Sequence, residues 1–346
     1  MDPTSVAATG MGARVWKAIG GGGIIRSLLA PWQIKREGMA SVDVKVKERL
    51  ALAQAEVDVQ AILDGKKSYS VDQWRLISHD TSTQYQQPTL DVAGGAGSSL
   101  ASSAADILIA ERIKREINVA QAALFAEELL EDDVDTQPEK EPSEDWVTRW
   151  RDSAERVSDA QMQELWGRIL AGEIRKPGAY SLRALETVKN LSREDADLIS
   201  KLANLWLGDF VVKFDDESYY NQQGLRFSEL LELQELGIIA GVESIGIEKT
   251  FSSLAGSGDK RAIPFSQHVL LVTPPEGSNK FSIPIYGVTR LGRQIMSLAE
   301  QHHDLRYIGK IKELLIAAGC KATVHLIVKR LPDGRVEYTN AEVATF

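Results

Sequence analysis

Apolar residues recur at three- and four-residue intervals along most of this chain and alternate in short runs only towards its end. From Ser41 to Leu63, Val42, Val46, Leu50, Ala53, Val57 and Ala61 trace a narrow stripe on a helix otherwise rich in Ala, Glu, Lys and Gln. So narrow a stripe suits a helix pair or an oligomer seam better than a deep core. A second helix is expected over residues 103–130, with Ile107, Ile113, Ile117, Ala120, Leu124 and Leu130 on one face. Ser143 is placed to cap a helix carrying Trp146, Val147, Trp150, Ala154 and Val157. Ser158 with Gln161 reads as a capping box for a helix that sets Met162, Leu165, Trp166, Ile169 and Leu170 on one side. Gly172, Pro177 and Gly178 break the pattern, residues 181–191 resume it, and Ser192 with Asp195 opens a further helix to about residue 207. Trp146, Trp150 and Trp166 are read as structural core, because three large rings supply much buried area to a small unit.

Beyond residue 210 the pattern changes. Leu225, Phe227, Leu230, Leu231, Leu233 and Leu236 make a dense apolar helix that Gly237 stops, and Ile238-Ile239 begins a strand. Residues 270–272 and 281–286 are further strands, and Thr289 caps a helix containing Leu291, Ile295 and Leu298. A helix over 307–318, a strand over 322–328, an Asp333-Gly334 turn and a return strand over 335–338 close the chain. The fold class is therefore α+β, predominantly helical. Four regions are expected: an amphipathic stretch over 1–68, a Gly/Ser/Gln linker over 69–102, a helical centre over 103–208 and an α+β unit over 209–346.

With 346 residues and 43% hydrophobic content the chain can bury substantial cores, and 40 Lys and Arg against 49 Asp and Glu leave a net charge of −9. That balance argues against a wholesale nucleic-acid coat, and a single cysteine, Cys320, rules out an internal disulfide framework. The expected location is cytoplasmic, with peripheral contact at the inner face of a membrane as the alternative. That alternative rests on residues 11–36, where Trp16 and Trp32 flank apolar residues beside Lys17, Arg26, Lys35 and Arg36. Such a mixture suits an anionic lipid surface, an oligomer contact or a cap over the protein's own core. Gly20 to Gly23 interrupt it and disfavour one continuous helix.

Chemistry is sparse. The sequence has no C-x-x-C or H-E-x-x-H motif, and the polyglycine run has neither the Lys-Ser/Thr of a phosphate-binding loop nor the spaced glycines of a dinucleotide turn. No catalytic residue, cofactor, metal or small-molecule substrate is predicted. His302 and His303 are expected at a helix end, favoured by its dipole. Two polar groups stand out instead. Arg112, Lys114 and Arg115 form a basic patch, read as a solvated face with phosphate contact as the alternative. Glu173, Arg175, Lys176, Tyr180 and Arg183 crowd a Pro-Gly turn, as an interaction surface or as a Glu173–Arg183 pair fixing the turn.

The run Val157-Ser158-Asp159, then Leu165-Trp166-Gly167-Arg168-Ile169-Leu170-Ala171-Gly172-Glu173-Ile174, then Pro177-Gly178-Ala179-Tyr180-Ser181-Leu182-Arg183-Ala184-Leu185-Glu186 resembles the bacterial and prophage proteins grouped as DUF2806. The resemblance covers roughly residues 100–300 and implies a setting in mobile elements and host–phage conflict, with no catalytic residues to transfer. The order of helix, Leu-Gly-Ile-Ile exit, strands and Thr-Arg-Leu-Gly helix over residues 190–300 resembles the winged helix-turn-helix family. A DNA-reading member would present basic or amide side chains on its recognition helix. Here that helix offers Glu229, Glu232, Gln234 and Glu235. The expected function is non-enzymatic recognition of nucleic acid or protein, in a homo-oligomer. A membrane-directed effector and a nuclease or hydrolase are the alternatives.

Overall fold

The computed structural model describes residues 11–19, 41–70, 75–78, 95–131, 140–216, 218–244, 246–252, 260–331 and 334–345. The chain divides into two compact units, Met1–Leu185 and Glu186–Phe346, so the division falls at 185/186 and not at the expected 208/209. Helices combine with antiparallel sheets, and the fold class is α+β.

The first unit contains α1 (Met11–Ala18), α2 (Ser41–Leu63), the hairpin β1 (Lys67–Ser70) and β2 (Arg75–Ser78), α3 (Gly95–Leu130), α4 (Glu144–Ala154) and α5 (Ala160–Arg175); α6 (Leu182–Asn190) carries the division. Three expectations change here. Among the described side chains of α2 the buried ones are Leu52, Ala55, Val59 and Ile62, while Val57 is 61% exposed. Two apolar repeats share the three/four spacing, and the one with the bulkier side chains faces inward. The expected linker contains the β1–β2 hairpin, whose register pairs Tyr69 with Leu76 and Ser68 with Ile77. The Ser- and Gln-rich composition conceals these strand formers. Finally, α3 begins at Gly95 rather than residue 103. Once its second half is packed, each added residue contributes a hydrogen bond without a new nucleus, so weak helix formers extend it.

Where α3 passes α5 the chains nearly touch. A Cβ on Gly167 would lie 2.6 Å from Phe125 Cβ and 2.8 Å from the Ala122 carbonyl oxygen. Ala122, Ala123 and Ala126 are fully buried, so only small groups separate the helices. The tryptophans are core, as expected. Trp150 Nε1 donates to the Trp166 carbonyl at 2.9 Å, and Trp146 Nε1 donates to the Tyr180 carbonyl at 2.8 Å. The cap of α5 is Asp159, not Ser158: its carboxylate accepts from the Met162 N–H at 3.0 Å. A charged acceptor one residue later serves the helix N-terminus better than a hydroxyl. Ser143 caps α4 through the Trp146 N–H.

The second unit continues with α7 (Arg193–Ala203), β3 (Trp206–Leu207), β4 (Phe210–Val212), α8 (Ser218–Gln222), α9 (Phe227–Glu235), β5 (Ile239–Ala240), β6 (Ile247–Ser252), β7 (Arg261–Pro264), β8 (His268–Thr273), β9 (Lys280–Val288), α10 (Arg290–Met296), α11 (Leu305–Ala317), β10 (Lys321–Arg330) and β11 (Val336–Glu342). The Ser192–Asp195 capping box is present in both directions, but α7 ends at Ala203 because the following residues enter β3. One antiparallel sheet has the order β3-β4-β9-β5, with β6 also on β9; the other runs β11-β10-β8-β7. Asp333 lies outside the described residues. Thr289 caps α10 as expected, accepting from the Gly292 N–H at 2.9 Å and donating to the Gly237 carbonyl at 2.5 Å. A Cβ on Gly292 would lie 2.1 Å from the Ile238 carbonyl oxygen, so no other residue lets α10 start this close to β5.

Beneath these sheets sits an aromatic cluster that the apolar pattern does not reveal. Tyr307 Oη donates to the Leu205 carbonyl at 2.7 Å and accepts from the Val212 N–H at 3.3 Å, while Tyr220 Oη donates to the Val212 carbonyl. Phe214 and Tyr219 pack on the Tyr307 ring.

His303 is not at a helix C-terminus; it precedes α11, half of a lock. Its Nδ1 accepts from the Ser266 N–H at 3.1 Å, which leaves Nε2 to donate to the Trp206 carbonyl at 3.0 Å. Burial, first, and the nearby Arg330 push its pKa below the usual 6.5, against the hydrogen bond to Trp206; burial also lowers His268. Because the folded form holds these rings neutral, the stability they contribute is full above pH 6.5 and is lost as pH falls towards the lowered values. We expect the second unit to melt at lower temperature as pH drops from 7 to about 5, with a shallower slope in His303→Asn, whose Oδ1 retains the Ser266 bond; equal slopes would contradict the lock.

Candidate functional site

The Pro-Gly turn that joins α5 to α6 is built around a buried carboxylate. Glu173 is 3% exposed, and its oxygens accept from the Gly178 N–H at 2.6 Å and the Tyr180 N–H at 3.0 Å, with Ala179 N–H a third donor. Backbone N–H groups are thus partners of Glu173 beyond the expected Arg183: a loop with several N–H groups and no helix of its own satisfies them on one carboxylate. Burial raises the Glu173 pKa while the three N–H donors oppose it. Tyr180 is buried too, its ring packed on Gly172. Of the group expected at this turn, Arg175, Lys176 and Arg183 are exposed, and Arg175 donates to the Leu129 carbonyl. Because Glu173 takes the turn's N–H groups, the loop presents side-chain cations without a backbone anion cradle.

The basic patch on α3 is exposed, and two of its members are ion-paired. Arg112 reaches Glu116 at 2.5 Å and Arg115 reaches Glu155 at 3.6 Å. Glu116, 2% exposed, also pairs with Arg151, whose guanidinium in turn donates to the Ile19 carbonyl at 3.2 Å. Lys114 is exposed. Near this network Asn118 Nδ2 donates to the Glu155 carbonyl at 2.8 Å, and Gln163 Nε2 to the Val157 carbonyl at 3.0 Å.

The described part of the N-terminal segment caps the first unit's own core. Val15, Trp16 and Ile19 are buried, α1 lies on α3 and α5, and Trp16 Nε1 donates to Glu127 at 2.9 Å. Lys17 pairs with Glu141 at 2.5 Å. Arg26, Trp32, Lys35 and Arg36 lie outside the described residues. Among the described residues no helix is long and apolar enough to cross a membrane, and no three His, Cys, Asp or Glu are grouped to hold a metal ion.

In the second unit, α9 presents an acidic and aromatic face. Phe227 is 47% exposed, and Glu232 and Glu235 are exposed. Its own N–H and the Ser228 hydroxyl hold the Glu229 carboxyl below the usual range, so it stays ionised. Gln234 is not displayed: its Oε1 accepts from the Gly241 and Val242 N–H groups at 3.0 and 2.9 Å and fixes the turn into the sheet.

Comparison with known families places part of this architecture. Residues 108–216 match the family model described as a protein of unknown function, DUF2806. No curated protein and no solved structure matches the chain. The DUF2806 segment runs from Leu108 in α3 through α4, α5, α6, α7, β3 and β4 to Asp216, and so contains Trp166, Gly167 and the Glu173 turn. It is shorter than the expected 100–300, ending before α8 and α9. The winged-helix resemblance has no counterpart among these matches.

Removing the carboxylate should orphan buried N–H groups. Glu173→Ala is expected to destabilise the protein by about 1–3 kcal/mol in denaturant unfolding, and a change within experimental error would show that the turn does not depend on this side chain.

Proposed function

We propose that the chain is a non-enzymatic recognition protein whose second unit engages a protein partner through a winged-helix-like face centred on α9. The observation that carries this reading is α9's surface: Phe227, Glu229, Glu232 and Glu235, with no Lys or Arg within the helix. Duplex DNA repels such a face, because each phosphate meets carboxylates where a recognition helix offers cations. Supporting the winged-helix part is the order α7, β4, α8, α9, β5/β6, β9, in which β9 lies between β4 and the β5–β6 side, with β7 and β8 inserted before it. The ion pairs of Arg112 and Arg115 support protein over nucleic acid from the first unit. A place in prophage or host–phage conflict is carried by the DUF2806 resemblance alone.

A photo-crosslinking residue at position 227 in the full chain is expected to capture a protein, and Glu232→Lys with Glu235→Lys to abolish capture. Salt-sensitive retention of duplex DNA, lost in a charge-reversed Arg112, Lys114 and Arg115 variant, would overturn the reading.

A further inference from the structure

A second exposed feature of the same unit complements α9. Strand β10 outruns its neighbour β8, whose pairing ends where Leu326 faces His268, and continues beside β11 alone as a two-stranded arm. Along this arm Ile327 faces Tyr338 and Lys329 faces Glu337, so Val328 is an extra residue, a bulge. A bulge re-aims its side chain, and Val328 stands 68% exposed with Leu326 exposed beside it. From Leu326 to Tyr338 the chain carries Lys329, Arg330 and Arg335 against Asp333 and Glu337, and the three cations are exposed. The Arg330 guanidinium donates to the Phe265 carbonyl and, at 3.0 Å, to the Ser266 carbonyl; neutral acceptors fix its position and leave its charge.

The matching shape lies beside α9. A notch of about 160 Å³ has an apolar lining from Tyr220, Leu225, Phe227, Leu230 and Tyr286, of which Phe227 is also exposed. It is smaller than the roughly 300 Å³ at which sites for drug-sized ligands begin, and suits a single inserted side chain. Inside, charge is balanced: Lys213 lies over the Tyr286 ring at 5.4 Å, and Asp215 lines the same notch. Outside, it is negative. Phe227, Leu231 and Glu235 recur at i, i+4 and i+8 and share one stripe, with Glu232 next to it, while Arg226 offsets only Glu229 at the helix start. Among the described residues Glu232, Glu235 and Lys329 have no ion-pair partner. Eight residues of helix put Glu235 about 12 Å from Phe227, and two residues of strand cover about 7 Å, so the long side chains of Lys329 and Arg330 span the remainder.

We propose that a second copy of this chain is the partner of α9: its β10–β11 arm seats Val328 in the notch beside Phe227, and its cations meet Glu232 and Glu235. The inference rests on the reading of α9 as a protein-docking face and names the protein that docks there. Because α9 leads into β5 of one sheet while the arm extends the other, each chain offers both halves, and two chains make the contact twice about a two-fold axis. Charges left single on each surface become paired beside apolar contacts that exclude water.

Sedimentation of the full chain tests it. The chain is expected to self-associate below about 100 μM. Glu232→Lys with Glu235→Lys, and separately Lys329→Glu with Arg335→Glu, should each weaken association at least about ten-fold, and Val328→Ser should weaken it through the notch alone. Mixing the two charge-reversed variants puts opposite charges back at both contacts, so association is expected to return, which misfolding of either variant cannot produce. With a photo-crosslinking residue at position 227, the captured peptide should lie within residues 326–338 of a differently tagged copy. A chain that stays monomeric, association indifferent to the reversals, or no recovery on mixing would overturn the proposal. Capture of a different protein at position 227 would also overturn it and leave the α9 reading standing, whereas capture of no protein would remove both.

Discussion

The first unit depends on how closely α5 approaches α3 at Gly167. With Phe125 Cβ and the Ala122 carbonyl inside the space a methyl would fill, the helix axes are set by backbone contact rather than by side-chain length. Everything adjacent follows from that distance. Trp166, the residue before Gly167, is 1% exposed, and Trp150 crosses to donate to its carbonyl. At the end of the same helix, Glu173 turns back to gather the N–H groups of the loop, which lets the chain enter α6 without orphaned donors.

Residues that crowd one stretch of sequence around Trp166 are therefore mostly assigned to packing. Arg175, Lys176 and Arg183 are charges that this stretch leaves at the surface, and further ones belong to other elements. In the first unit, carboxylates at 116 and 155 hold the α3 arginines; in the second, acids outnumber bases on α9. On α9 the acidic side chains lie beside the exposed Phe227 ring.

Local rules were legible wherever the answer lies within four residues. Ser143, the Ser192–Asp195 box and Thr289 cap the helices they announce, and the three tryptophans are buried as their spacing indicates. The failures involve distance. Which of two stripes on α2 faces inward depends on α3, far along the chain; Tyr307 finds Leu205 across 102 residues, and a lone tyrosine in a helix pattern carries no sign of that bond. Glu173 stands out in the sequence for its charge, but it accepts from backbone N–H groups, which composition never displays. Likewise the notch beside Phe227 is assembled from loops, a strand and two helices, none of which shows a motif alone.

The claim that this segment is a packing device rather than a binding motif turns on the sign of one substitution. In an open helix, Gly167→Ala raises stability by roughly 1 kcal/mol through helix propensity. Against the α3 backbone the added methyl must displace a helix, and the account predicts a lowered Tm corresponding to about 1–3 kcal/mol of destabilisation. Thermal unfolding of that single variant decides the matter, and an unchanged or raised Tm would contradict the account.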